Sequence, residues 1–174
     1  MQYMKDLGIL NPENVSEEEA RTYPVREAAR AIVLDNENKI ALLHVSKRNY
    51  YKLPGGGIEV GEDRVTALRR ECQEEIGCDV EVIGEIGMIT EYRKMFTLTQ
   101  VSYCYLARVR GAKGAPHLEE GEIEDGFKEV WLPYEEVERA MAGSAATKPQ
   151  ETLYIVPRDT LLIKEAGEHL ANLS

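Results

Sequence analysis

Between Leu53 and Cys78 the chain reads LPGGGIEVGEDRVTALRRECQEEIGC, a glycine run leading into a helix with two unlike faces. Asp63 is placed to cap the helix start, because its side-chain oxygen can accept from the free N–H groups of the first turn. Gly77 falls where a left-handed residue closes a helix, a conformation glycine adopts with least strain. Between these caps Val65, Leu68, Cys72 and Ile76 recur at spacings of three and four and predict an apolar stripe. Glu71, Glu74 and Glu75 share another face. Three adjacent carboxylates repel one another, and Arg70 offsets only part of that. Two readings stand: a solvated acidic face on an acidic protein, or a site for a hard divalent cation such as Mg²⁺ or Mn²⁺, which carboxylate oxygens suit and which commonly also holds substrate phosphates.

The surrounding residues favour the second reading. Gly56, Glu62, Arg70, Glu71, Glu74, Glu75 and Gly77 stand at the fixed positions of the Nudix box, and the segment resembles that family's signature. Cys72 and Cys78 replace its usual aliphatic residues, as a small hydrophobe can. The resemblance implies a hydrolase of nucleoside diphosphate derivatives on an α/β/α sandwich, with a mixed β-sheet between helices. It implies metal binding by Glu71, Glu74 and Glu75, with Gly55 contributing a carbonyl. Glu71 would also be the general base, while Arg70 orients a carboxylate. A further acidic ligand is expected on a later loop, where Glu122 and Glu124 are the candidates. A non-catalytic nucleotide-binding or regulatory module on the same fold is the alternative.

Substrate contacts are expected from Gly56 and Gly57, which permit close backbone approach. The stretch Ser46–Lys52 carries three cations and two tyrosines. From it Arg48 and Tyr51 are candidates to meet a phosphate and stack on a base; a plain polar loop is the other reading. Tyr92 stands near a tyrosine found in relatives acting on dinucleoside polyphosphates. The proline associated with ADP-ribose specificity is missing, since none lies between Pro54 and Pro116. The resemblance therefore implies a nucleotide-type substrate without choosing one.

The 174 residues suit one domain, with residues 1–25 expected as an irregular N-terminal arm and 26–174 as a single domain. Net charge is -10, which argues against a broad nucleic-acid or anionic-membrane surface. A bound metal can still reverse the local sign for one nucleotide. Cys72, Cys78 and Cys104 each lie in an apolar segment, an arrangement expected of free buried thiols in a cytoplasmic protein. No Cys or His pair stands at zinc-ligand spacing, and His44, His117 and His169 are scattered. The oligomeric state is open, a homodimer included.

Elsewhere, Ala29–Leu34 and Ile40–Val45 read as strands flanking the turn Asp35–Asn38. Alternation from Val80 to Met88 predicts a strand, followed by a turn at Tyr92–Lys94. Strands at Leu98–Val109 and Phe127–Leu132 bracket a loop at Gly111–Gly126. A helix is expected at Glu135–Met141, then a loop to Gln150, a short strand or turn at Leu153–Val156, and a last helix striped by Leu162, Ala166, Leu170 and Leu173.

Overall fold

A mixed eight-stranded sheet forms the middle layer of the computed structural model, which describes residues 3–173. Its strands are β1 (Asp6–Leu10), β2 (Val25–Leu34), β3 (Ile40–Val45), β4 (Tyr50–Lys52), β5 (Gly55–Gly57), β6 (Asp79–Arg93), β7 (Leu98–Arg110) and β8 (Phe127–Leu132). They lie in the order β1-β6-β7-β2-β3-β4, with β5 also on β2 and β8 also on β3. β1–β6 and β2–β7 are parallel, whereas β6–β7, β2–β3 and β3–β8 are antiparallel.

Alternation along β2 sends neighbouring side chains to opposite layers. Ala29, Ala31 and Val33 pack under helix α2 (Arg64–Ile76), against Ala67, Leu68, Cys72 and Ile76. Ile32 and Leu34 face the other way, toward Val137 and Met141 of α4 (Tyr134–Ala142) and Leu162, Ile163 and Ala166 of α5 (Val156–Ala171). The result is the expected α/β/α sandwich. Small alanines on the α2 side let that helix sit close to the sheet, which brings its carboxylates to the sheet edge.

Four expectations change. The segment before residue 26 is not irregular: β1 pairs with β6, and a one-turn helix α1 (Glu17–Ala20) is capped by Ser16. Val15, Ala20 and Tyr23 are buried there with Tyr92 against them. Residues 1, 2 and 174, the ends of the expected arm and domain, lie outside the described residues. Tyr92 and Arg93 belong to β6, and the turn follows as a 3₁₀ segment at Lys94–Phe96. The strand or turn expected at Leu153–Val156 is a π-helical turn, Glu151–Ile155, running straight into α5. The loop 111–126 contains the short helix α3 (Glu120–Glu124).

Candidate active site

The glycine run forms β5, an edge strand seated on β2 with Gly55 opposite Arg30 and Gly56 opposite Ala29. Gly55 has φ +141°, and a Cβ there would lie 2.1 Å from the Ala29 carbonyl, so no side chain fits. Gly56 lies against the Glu71 carboxylate, whose Oε1 would be 2.4 Å from an added Cβ. The glycines thus allow α2 to press its acids onto the strand.

Both helix ends form as the sequence predicts. Asp63 accepts from the Thr66 N–H at 2.8 Å. Gly77 takes φ +67°, and its carbonyl accepts from Gly114 N–H at 2.8 Å. His117 N–H donates to the Glu74 carbonyl at 2.7 Å, so the loop after β7 straps the helix end and carries α3 toward the acids. The apolar stripe differs in one respect: Val65 is exposed and Ala67 takes its place inside.

The box residues converge. Arg70 binds Glu62 through two nitrogens, at 2.8 and 2.9 Å, and reaches Glu71 at 2.9 Å and Glu74 at 3.4 Å. Arg70 also donates to the Gly57 carbonyl at 3.1 Å, which ties helix to glycine strand. The partnership with Arg70 holds the Glu62 carboxyl down at about 2, which marks it as a fixed structural anion. Glu75 is buried, accepts from Gly55 N–H at 2.9 Å and lies 3.5 Å from Lys52 Nζ. Burial pushes the Glu75 carboxyl up; Lys52 and the Gly55 N–H oppose this, and the charges of Glu71 and Glu122 add to it. Burial likewise raises Glu74, with the Glu71 charge adding to the effect.

The donor set fits a hard divalent cation in kind and sign: carboxylate oxygens, mutually repelling, which Arg70 and Lys52 contact and offset in part. Among the described residues no three acidic, Cys or His side chains close on one point as a finished cage. Arg70, Lys52 and the Gly55 N–H hold the carboxylates instead, so a cation would compete with them.

Of the loop acids, Glu122 bears on the box: its charge acts on Glu75, and burial raises its own carboxyl. Glu124 is exposed at the end of α3. The Gly55 carbonyl accepts from Arg30 Nη1 at 2.9 Å, so the lone pair expected for metal meets a guanidinium. Arg48 is not free for phosphate either: it pairs with Asp125 at 2.8 Å and Glu151 at 3.1 Å, fastening the β3–β4 turn to the π-helical turn. Tyr51 stacks on His44 at 4.5 Å between ring centres, because β3 and β4 place them opposite each other. Tyr92 packs with Val15, Ala20 and Tyr23, away from the glycine strand.

Of the cations that do gather beside β5, only Lys52 falls in the basic stretch that the sequence singles out. Arg26, Arg30, Lys52, Arg93 and Arg158 line a pocket with Gly55, Gly56 and Gln100. Arg30 was legible in principle, since a lone arginine inside the apolar run Ala28–Leu34 has to meet something polar. The three cysteines are free and buried. Burial holds the Cys72 thiol well above its ordinary value, so it serves packing.

Fold and site together define an α/β/α protein with a carboxylate-bearing helix pressed on a glycine strand. Comparison with known proteins agrees. The NUDIX domain family matches residues 24–153, well over half of the chain, and the chain belongs to that family. Among curated proteins it is 33% identical over 72 residues to an RNA pyrophosphohydrolase of Pelagibacter ubique (strain HTCC1062), covering 40% of this chain and 46% of the relative. It is 54% identical over 39 residues to an RNA pyrophosphohydrolase of Sulfurovum sp. (strain NBC37-1), covering 22% and 25%. The chain thus matches less than half the length of either. Solved structures share the fold: a NUDIX hydrolase from Nitrosomonas europaea (TM-score 0.64, 17% identity, 84% of this chain and 90% of that one). The C. elegans Ap4A hydrolase is another (TM-score 0.59, 15% identity, 84% and 99%). Among the described residues no helix is long and apolar enough to cross a membrane.

Proposed function

We propose that this protein is a metal-dependent hydrolase that cleaves a diphosphate linkage in a nucleoside di- or triphosphate derivative by attack of water on phosphorus. The observation that carries the reading is the crowding of Glu71, Glu74, Glu75 and Glu122 beside a glycine strand, with repulsion left for a cation to relieve. Glu71, Glu74 and Glu75, with Glu122 from the loop, would hold Mg²⁺ or Mn²⁺. A divalent ion bound there would neutralise phosphate oxygens that otherwise repel an incoming nucleophile.

The remaining work falls to the chain. Glu71 takes the proton from the attacking water as general base. Arg70 orients Glu71 and Glu74 and is in turn held by Glu62. Gly56 and Gly57 bring bare backbone against Glu71 and Arg26, which would keep both side chains close to the phosphates. Membership of the family and the retained acids support catalysis over a purely nucleotide-binding role, which needs no base. Three buried free thiols support a reducing, cytoplasmic setting.

A nucleotide panel with Mg²⁺, reading released phosphate or pyrophosphate together with the second product, tests this. The panel includes a phosphoanhydride carried on an RNA, because two relatives are named RNA pyrophosphohydrolases. Turnover of at least one substrate, abolished by chelation, is expected. A folded, metal-binding protein that hydrolyses none of them would leave the binding-module reading in its place.

A further inference from the structure

Alternation along β2 puts Arg26 and Arg30 on the same face as Ile32, the α5 side. In β7, Gln100 lies beside Arg26, and in β6 Glu91 lies beside Gln100. Three adjacent strands therefore present polar groups at one end of a face that is otherwise apolar. Arg158 at the start of α5 and the π-helical turn close over them. The pocket they enclose is about 180 Å³. Sites for whole small molecules run to about 300–1,000 Å³, so it takes one group of a ligand.

The charges there are unequally matched. Glu91 is committed to Arg93 and Arg158, and Asp159 to Arg158. Arg26 donates only to the Gln100 side-chain carbonyl at 2.6 Å, and Arg30 only to the Gly55 carbonyl. Among the described residues neither guanidinium has a carboxylate at ion-pair distance, in a protein of net charge -10. Two buried donors are also unpartnered: Nε of Arg30, a residue 5% exposed, and Nε2 of Gln100, 1% exposed. A buried donor left without a partner is costly, so native proteins rarely keep one without use. Arg26 fixes the Gln100 amide, because the guanidinium requires the oxygen on its side, which leaves the NH₂ as the unpartnered end.

We propose that this pocket receives a phosphate of the substrate other than the two joined by the cleaved bond. The protein would then select nucleotides of three or more phosphates over diphosphates ending in an uncharged sugar. Two guanidiniums without a carboxylate partner, in a lining that also holds Lys52 and the Gln100 amide, match a multiply charged oxyanion and not an apolar or cationic group. Continuity with the reacting face is provided by Lys52, which lines the pocket and meets Glu75, and by Gly55 and Gly56. The proposal rests on the hydrolase reading for its substrate, but the pocket's affinity is testable without it.

The informative variant is Gln100→Glu. It keeps the size of the side chain and the oxygen for Arg26 while replacing the unpartnered amide donor with a charged acceptor. Gln100→Leu, which removes both, guards against a folding defect peculiar to the acid. The first arm titrates inorganic phosphate into the metal-free protein and follows the melting temperature. Phosphate should raise it for the parent and at least about tenfold more phosphate should be needed for both variants, the usual worth of a hydrogen bond to a charged group. The second arm compares kcat/KM for a nucleoside triphosphate and for the matching diphosphate-sugar with Mg²⁺. The preference for the triphosphate should fall about tenfold or more in Gln100→Glu, mainly through KM.

An equal phosphate response in parent and variants overturns the pocket, even if hydrolysis is intact. So does a phosphate response that depends on Gln100 beside an unchanged triphosphate preference, because the occupant would then be free phosphate. A Gln100-dependent response with no hydrolysis of anything upholds the anion pocket and removes only the hydrolase reading.

Discussion

Glu75 is the residue on which strand, helix and site meet. Its buried carboxylate accepts from Gly55 N–H and faces Lys52, so it is both part of the glycine strand's support and a candidate ligand. Glu75→Gln keeps an acceptor for Gly55 and removes a charge that burial already penalises. We expect a metal-free stability within about 1 kcal/mol of the parent, since the Lys52 stem can carry its ammonium to water. The rise in melting temperature on adding Mn²⁺ should shrink, and excess Mn²⁺ should recover part of the activity. Equal melting curves for parent and variant across a Mn²⁺ titration would remove Glu75 from the metal site. At this scale much was legible in advance. Asp63, Gly77 and the box acids follow from capping and from fixed spacings along one helix. Arg30 stood out as a lone charge in an apolar run, but its neighbours Gln100 and Arg158 were not legible, because they come from β7 and α5 and no local pattern brings such distant residues together. Arg48 was misread for the same reason: its partners Asp125 and Glu151 lie 77 and 103 residues away.

Among the elements, two turns carry more than connection. The Tyr154 hydroxyl in the π-helical turn has its one proton between two acceptors, the Glu13 carboxylate and the Tyr92 carbonyl, and so joins the α5 entry to β6 and to the N-terminal segment. Tyr154→Phe should therefore cost about 1 kcal/mol, or about 2–4 °C of melting temperature at this chain length. An unchanged melting temperature would mean that the N-terminal segment gains nothing from this anchor. The β2–β3 turn is held by Asp35, which accepts from the Glu37 and Lys39 N–H groups and pairs with Lys113, each at 2.9 Å. Burial alone would raise the Asp35 carboxyl; Lys113 and the two N–H groups overcome it and bring it below 3.8. The stabilisation is therefore complete above the unfolded value near 4 and is lost as pH falls through the lower folded value. Asp35→Asn should be less stable than the parent at neutral pH, by about 1 kcal/mol, and the gap should close toward pH 3 in denaturant melts. A gap that is constant with pH would contradict the ion pair's part in it. The Asp35 turn was readable from its dipeptides, whereas the N-terminal segment was not. β1 has only five residues and no alternation to announce it, and it becomes a strand by pairing with β6.

For the molecule as a whole, the sheet sorts two chemistries to its two sides at the β5 edge. Acids reach that edge from α2, and cations from the α5 side, with the glycines of β5 between them. The sandwich was legible because periods of two and of three to four residues alternate along the chain. The charge separation was not, because it exists only after the layers are stacked. The central claim is that the acid face performs hydrolysis with Glu71 as base, and steady-state kinetics of Glu71→Gln at saturating Mg²⁺, on whichever nucleotide the parent hydrolyses, tests it most directly. A fall in kcat of about 10²–10⁴ with a much smaller change in KM is expected. A near-parental kcat, with turnover abolished instead by Glu122→Gln, would contradict it and move the base to the loop.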